Sequence, residues 1–411
     1  MASEPVEQRC PECHRVVPVD PRFIVWCPAC GWNADPAPGR HLPEATERTE
    51  VNAEVVPRRS KRALVMALPV LLAPVPGVLG GLALLAFYRP LWWSIPLAGL
   101  VFSLTAIFWP RSHRLPLDAQ SVTREQAPLL YDVLDRISSS TGTPKLGHVF
   151  LTTGQTVGID RIGLRCRRTL TIGLSAWEIL GPQERVAALV RAVYDDRRTA
   201  HERVVGAADQ ILGHLSAYLS ADDRDEVYYD RYSPGTALIT PGTTEDQIQH
   251  YYVTKVVNAI FGPPIRGYRR LLTRFDLAAR LHRVYAADLQ VASIAGAEAA
   301  AGALERVLLA DIGFRVLERA KHFDAGADPL ELLRRIAADV PEHELQRRVL
   351  VGRLHDSDLD SRHPPTSRRT AAIREARSRP SLFLRAVESD RIDRELTPTA
   401  RAAIRSLHYH S

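Results

Sequence analysis

Two long runs without charge limit most strongly what this chain can fold into. Residues 63–88 carry no charged side chain, and after Arg89 and Pro90 the run 91–110 is again free of charge. A helix of about 20 apolar residues is long enough to cross a bilayer. A buried hairpin in a soluble protein is the alternative, but Trp92, Trp93 and Trp109 lie where aromatic side chains anchor a helix at a membrane interface. The sequence therefore predicts a transmembrane helical hairpin over residues 63–110.

Basic residues lie mainly on the two outer flanks of this hairpin. Those flanks carry Arg58, Arg59, Lys61, Arg62, Arg111 and Arg114, whereas the tip carries Arg89 alone. Positive charge favours the cytoplasmic side of a membrane. The pattern predicts a multi-pass protein of the cell (inner) membrane, with the lipid bilayer as a partner and with N- and C-terminal domains in the cytoplasm.

Four of the five cysteines occur in two CxxC pairs near the N-terminus. Each pair presents two thiolates to one ion, and two pairs complete the four-sulfur shell of a structural zinc site. Redox-active pairs are the alternative, but no βαβ pattern follows either pair. Residues 1–34 are thus predicted to form a zinc ribbon whose ligands are Cys10, Cys13, Cys27 and Cys30. Residues 35–62 lack apolar periodicity and are interpreted as a linker without packing.

The net charge of +6 does not indicate nucleic-acid binding. Only four of the 53 basic residues are lysine, and the arginines are spread along the whole chain. No nucleic-acid partner is expected.

After the hairpin the chain has mainly helical patterns and a short β region. The segments at 148–152 and 169–173 are β-branched and alternate in part, which predicts two strands. Apolar residues at helical spacing predict a helix over 123–142, and Pro182 marks the start of a long helix that buries Val186, Leu189, Val190 and Val193.

The order of these segments resembles the HtpX-like family of membrane zinc metallopeptidases, which includes the CAAX prenyl proteases. The similarity rests on the hairpin, on "LYDVLDRISSSTGTPKLGHVFLTTG", and on "LSAWEILGPQERVAALV" leading into a long helix. It covers roughly residues 63–375 and implies a mainly α, gluzincin-like metallopeptidase fold with a small β-sheet. In that family the long helix continues as HExxH, which holds the catalytic zinc.

The family's catalytic groups are missing from this chain. The resemblance assigns the His, Glu and His of HExxH to Ala192, Val193 and Asp196, and the later Glu ligand to Val284 in "RVYAADLQVASIAG". An open catalytic zinc site needs three protein ligands, and alanine and valine provide none. No catalytic zinc is therefore expected.

Other family positions are retained. The resemblance implies that Asp288 lies behind the former zinc ligands, and that "SRHPPTSRRTAAI" supplies His363 and Arg368 near the substrate carbonyl. Asp195 and Asp196, followed by Arg197 and Arg198, are interpreted as a solvated charge cluster. A relocated metal site that combines Asp196 with His201, His282 or His363 remains the alternative.

The sequence as a whole predicts four parts: a zinc ribbon over 1–34, a linker over 35–62, the hairpin over 63–110 and a peptidase-homology domain over 111–411. The expected function is that of a membrane-anchored, catalytically inactive pseudopeptidase that binds a peptide or protein partner. An active zinc-dependent metalloendopeptidase with atypical ligands is the alternative.

Overall fold

The computed structural model describes residues 6–35, 60–88, 91–107, 115–162, 167–197, 199–219, 244–320, 328–354, 364 and 366–409. The chain folds as two compact units. The first unit comprises Met1–Ala53, Leu115–Arg197 and Arg283–Ser411, and the second comprises Glu54–Arg114 and Arg198–His282. The fold is mostly helical with small sheets, as the sequence predicted.

The first unit begins with a two-stranded sheet. Strands β1 (Val6–Arg9) and β2 (Val16–Val19) pair antiparallel, with Val6 opposite Val19. The turn between them carries the first CxxC pair, so the strands bring both ends of this turn together.

A four-stranded sheet lies at the centre of the first unit. It consists of β3 (Gln120–Val122), β4 (His148–Thr152), β5 (Val157–Ile162) and β6 (Arg167–Gly173), in the order β3-β4-β6-β5. Strand β4 runs parallel to β6, and the other two pairings are antiparallel. The two strands predicted from sequence are β4 and β6, whereas β3 and β5 were not predicted.

Helices pack against this sheet. Helix α4 (Pro128–Thr141) starts later than predicted, because Pro128 occupies its first turn, and it ends at Gly142 with a φ of 63°. Short α5 (Leu174–Ile179) precedes α6 (Pro182–Asp196), which starts at the predicted proline. The core contains Trp177, Tyr131, Ile172 and Leu189, each at most 2% exposed.

The C-terminal part of the first unit is helical. After the end of the long helix α8 (Thr244–Ala295) come α9 (Ala297–Arg306), a 3-10 turn (Val307–Leu309), α10 (Ala310–Ala320), α11 (Pro329–Ala338), α12 (Glu342–Leu354), α13 (Thr366–Glu375) and α14 (Ala386–Tyr409). The predicted burial of Val186, Leu189, Val190 and Val193 on α6 is confirmed.

The second unit contains α1 (Lys61–Leu72), α2 (Pro74–Phe87), α3 (Leu91–Ile107), α7 (Ala200–Leu219) and the first part of α8. Helix α1 packs on α7, and the Tyr268 hydroxyl donates a hydrogen bond to the Met66 carbonyl at 2.6 Å. Helices α2 and α3 pack so closely that a Cβ atom at Gly77 would overlap Thr105, and a Cβ atom at Gly81 would overlap Phe102. Glycines four residues apart are typical of close helix pairs in membranes.

One helical stretch among the described residues is long and apolar enough to cross a membrane. It runs through α1 and α2, from Lys61 to Phe87, and the apolar part of the following helix, Trp92–Ser103, is shorter. Of the two predicted spans, only the first is long enough to cross a membrane within the described residues. Exposed apolar side chains on these helices include Leu79, Leu82, Trp92, Trp93, Ile95 and Leu100.

Candidate functional site

The four predicted zinc ligands lie together. The Sγ atoms of Cys10 and Cys30 are 3.6 Å apart and those of Cys13 and Cys27 are 3.4 Å apart. All four sulfur atoms lie within 4.8 Å of one another. A tetrahedral zinc ion with Zn–S bonds of about 2.3 Å requires sulfur atoms roughly 3.8 Å apart. The four cysteines therefore fit one metal ion, and the chemistry of four thiolates suits zinc.

The backbone of each CxxC turn has the same shape. The residue after the second cysteine has a positive φ in both turns, 59° at His14 and 77° at Gly31. The N–H of His14 donates to the Cys10 carbonyl at 3.0 Å, and the N–H of Gly31 donates to the Cys27 carbonyl at 2.8 Å. Both turns thus hold their two thiols on one side, as a shared ion requires.

Local hydrogen bonds favour the thiolate form of one ligand. Burial raises the pKa of Cys27, but hydrogen bonds from the backbone N–H groups of Cys30 and Ala29 and from the Cys13 and Cys30 thiols together outweigh burial and lower that pKa to about 6. A thiolate is the form that binds metal. The second CxxC turn therefore holds one thiolate at neutral pH. At its other thiol the Trp32 N–H lowers the pKa of Cys30, but burial and the three neighbouring thiols outweigh it and raise that pKa to about 12.

The ribbon is not separate from the rest of the first unit, although the sequence predicted an independent module. The Trp26 Nε1–H donates to the His343 carbonyl at 3.2 Å, and Arg347 Nη1 donates to the Ala34 carbonyl at 2.9 Å. Both partners lie on α12. Residues 36–59, which include most of the predicted linker, lie outside the described residues.

The positions assigned to the family's first His and its Glu are buried in the core of the first unit. Ala192 is 2% exposed and Val193 is 1% exposed, and both belong to the main hydrophobic cluster. Val284 on α8 is 6% exposed. Arg191 Nη1 lies 3.5 Å from the Val284 carbonyl, so α6 and α8 adjoin at these positions.

Two arginines bind the retained aspartate. The Asp288 carboxylate is buried and accepts hydrogen bonds from Arg191 on α6 and from Arg369 on α13, the latter at 2.8 Å to each oxygen. The sequence singled out Arg368, but Arg368 is exposed and its neighbour Arg369 points inward. His363 lies outside the described residues. Sequence reasoning missed Arg191 and Arg369, because only the packing of three helices brings them together.

Asp196 is not part of a solvated charge cluster, which corrects the prediction. Its side chain is 8% exposed and pairs with Arg161 on β5 at 3.2 Å and with Arg168 on β6 at 2.6 Å. Asp195, by contrast, is 51% exposed and pairs with Arg191 at 2.9 Å. Since α6 packs against β5, its last turn places Asp196 under the two strands.

Strand β5 forms one edge of the four-stranded sheet. The Gly173 N–H donates to the Thr156 carbonyl at 2.9 Å, so these two residues form a hydrogen-bonded pair. Such pairs alternate along an antiparallel ladder. With the register Val157 opposite Ile172, the backbone groups of Val157, Ile159 and Arg161 point away from β6. No strand among the described residues pairs with this side of β5.

No family model, no curated protein and no solved structure gives a significant match to this chain. One ion can be held by three or more His, Cys, Asp or Glu side chains that lie close enough together. Among the described residues the four cysteines form such a group, and no other is found there.

Proposed function

We propose that this protein is a membrane-anchored pseudopeptidase that uses a metallopeptidase-like cleft to bind a peptide or protein partner. The observation that supports this proposal most strongly is the pairing of buried Asp288 with Arg191 and Arg369. Two guanidinium groups bind the carboxylate that the resemblance expects to support zinc ligands.

The hydrogen bonds of Asp288 leave it in a structural role. Arg191 and Arg369 both bind one carboxylate oxygen and Arg369 binds the other, so guanidinium groups occupy the side chain that would orient a metal ligand. In a metallopeptidase the zinc ion joins the ligand-bearing helices. Here the Asp288 carboxylate and the two arginines join α6, α8 and α13 through ion pairs, and Ala192 and Val193 pack as core residues.

The free edge of β5 is the proposed binding surface. An extended peptide that pairs with the backbone groups of Val157, Ile159 and Arg161 would extend the sheet by one strand, a common mode of peptide recognition. Affinity would come from backbone hydrogen bonds and therefore tolerate varied peptide sequences.

Membrane anchoring is proposed through α1, α2 and α3, with the ribbon and the C-terminal domain in the cytoplasm of a multi-pass inner-membrane protein. The apolar stretch Lys61–Phe87, the exposed aromatic pair Trp92 and Trp93 and the close α2–α3 packing support this proposal. The test is to introduce single cysteines at Ala259 and Ser293, both exposed, and to compare the labelling of each variant with that of the native chain. Labelling of either by a membrane-impermeant reagent in intact cells would contradict the topology.

The number of zinc ions per chain tests whether a catalytic zinc site is absent. Elemental analysis of the purified full chain should give one zinc per chain, and the double variant Cys10→Ser, Cys27→Ser should give none. A zinc ion that persists in the double variant and is lost after His201→Ala or His363→Ala would show a relocated site. That result would favour the alternative function, an active zinc metalloendopeptidase with atypical ligands.

Proline substitutions test the β5 edge. Proline lacks the N–H group, so Val157→Pro removes an outward-pointing donor, whereas Gly158→Pro removes a donor directed at β6. Peptides would first be selected on the native protein from a random displayed library. Val157→Pro should abolish their binding without loss of fold, while Gly158→Pro should destabilise the sheet. Unchanged peptide binding by Val157→Pro would exclude strand addition at β5.

A further inference from the structure

We propose that the four-cysteine ribbon is a metal-dependent latch on α12, so that binding of an ion to the ribbon and docking of α12 are one coupled equilibrium. This inference is independent of whether the cleft binds a peptide.

The docking contacts lie directly beside the second CxxC turn. Trp26, which precedes Cys27, is 3% exposed and donates to the His343 carbonyl. Ala34, four residues after Cys30, accepts from Arg347. The positions of both contacts are therefore set by the turn that carries two metal ligands.

The ribbon has little core of its own to hold this turn in place. Its buried cluster consists of Cys10, Val17 and Cys27, with Cys13, Val25 and Trp32 packed against it. Half of these residues are the proposed metal ligands. A segment of this kind folds when it binds its ion and unfolds when the ion is removed. Loss of metal should therefore release Trp26 and Ala34 from α12.

A polar network continues the contact into the first unit. Arg347 and Arg348 both bind the buried carboxylate of Glu344, with Nε–O distances of 2.7 and 2.8 Å. Arg348 also donates to the Leu308 carbonyl at 2.6 Å and pairs with Asp311 on α10. Docking of the ribbon thus stabilises a helix that is itself tied to the core, and coupling between two such sites is reciprocal.

The first test compares the full chain with and without its ion. Zn²⁺ would be removed with a chelator, and amide hydrogen exchange would be followed by mass spectrometry. Exchange in α12 should rise by about tenfold or more, while exchange in α4, which packs on α6 and α14, should stay unchanged. Equal protection of α12 in both states would overturn the proposal.

The second test uses the reciprocity of coupling. Arg347→Gln and Arg348→Gln each remove one partner of Glu344, but only Arg347 contacts the ribbon. Zn²⁺ affinity of the full chain, measured against a chromogenic chelator, should fall about tenfold in Arg347→Gln, as expected for one lost hydrogen bond. In Arg348→Gln it should stay within about twofold of the native value. Equal zinc affinities in the two variants would overturn the latch, even though α12 is disturbed in both.

Discussion

At the scale of single residues, Asp288 joins three helices through its buried carboxylate. The carboxylate is 3% exposed and binds guanidinium groups from two other helices. Removing one partner from a buried ion pair is costly, because the remaining charge stays in a medium that solvates it poorly.

Asp288→Asn should therefore lower the free energy of unfolding by about 3–5 kcal/mol. Asp195→Asn is the matched control, because Asp195 also binds Arg191 but is exposed, and its loss should cost less than about 1 kcal/mol. Urea denaturation of the purified chain gives both values. Similar losses in the two variants would show that the Asp288 cluster has no special structural role.

At the scale of elements, Glu344 makes the stability of α12 dependent on pH. Burial raises the pKa of Glu344, but Arg347 and Arg348 outweigh burial and lower that pKa below its usual value. A carboxylate whose pKa is lowered in the folded state stabilises the protein fully at pH values above its pKa in the unfolded state, which is about 4.3. This contribution is lost as the pH falls through the folded-state pKa.

The difference in unfolding free energy between the native chain and Glu344→Gln should be largest near neutral pH. It should shrink between about pH 5 and about pH 3. Denaturation of both chains across this range provides the measurement, and the comparison cancels the other titrating groups. A difference that is constant or grows in acid would contradict the assigned role of the two arginines.

The pairing of α2 with α3 depends on glycine. A Cβ atom at Gly77 would overlap the Thr105 side chain, whereas a Cβ atom at Gly80 meets no atom within 4 Å. Gly77→Ala should destabilise the helix pair by about 1–3 kcal/mol, as overpacking does. Gly80→Ala should have little effect. Thermal unfolding in detergent would distinguish them, and equal melting temperatures would argue against the close approach at Gly77.

At the scale of the whole molecule, the two units have separate hydrophobic clusters. Leu189 belongs to the cluster of the first unit and Leu272 to that of the second, and each is 1% exposed. Chains with more than one unit commonly unfold in more than one step. Calorimetry should show two transitions. Leu189→Ala should lower the midpoint temperature of one transition and Leu272→Ala that of the other. Each substitution should reduce the free energy of unfolding of its own unit by about 2–5 kcal/mol. A single transition lowered by both variants would indicate one cooperative unit.

The sequence by itself determined the features that depend on local spacing. Two CxxC pairs predict a four-sulfur site because each tight turn fixes the separation of its two thiols, and the four cysteines do lie together. The start of α6 at Pro182 and its buried apolar face also follow from local rules, since proline suits the first turn and helical periodicity fixes the inner face.

Only the tertiary structure decided which charged residues lie inside. Adjacent Asp195 and Asp196 look equivalent in the sequence, yet one is exposed and the other lies under Arg161 and Arg168 of a hairpin 28 to 35 residues away. Arg368 and Arg369 differ in the same way, because the rotation of α13 against α8 selects which guanidinium reaches Asp288. The docking of the ribbon on α12 joins residues 313 and 317 positions apart. Contacts at such separations depend on how packed elements meet, which local sequence patterns do not encode.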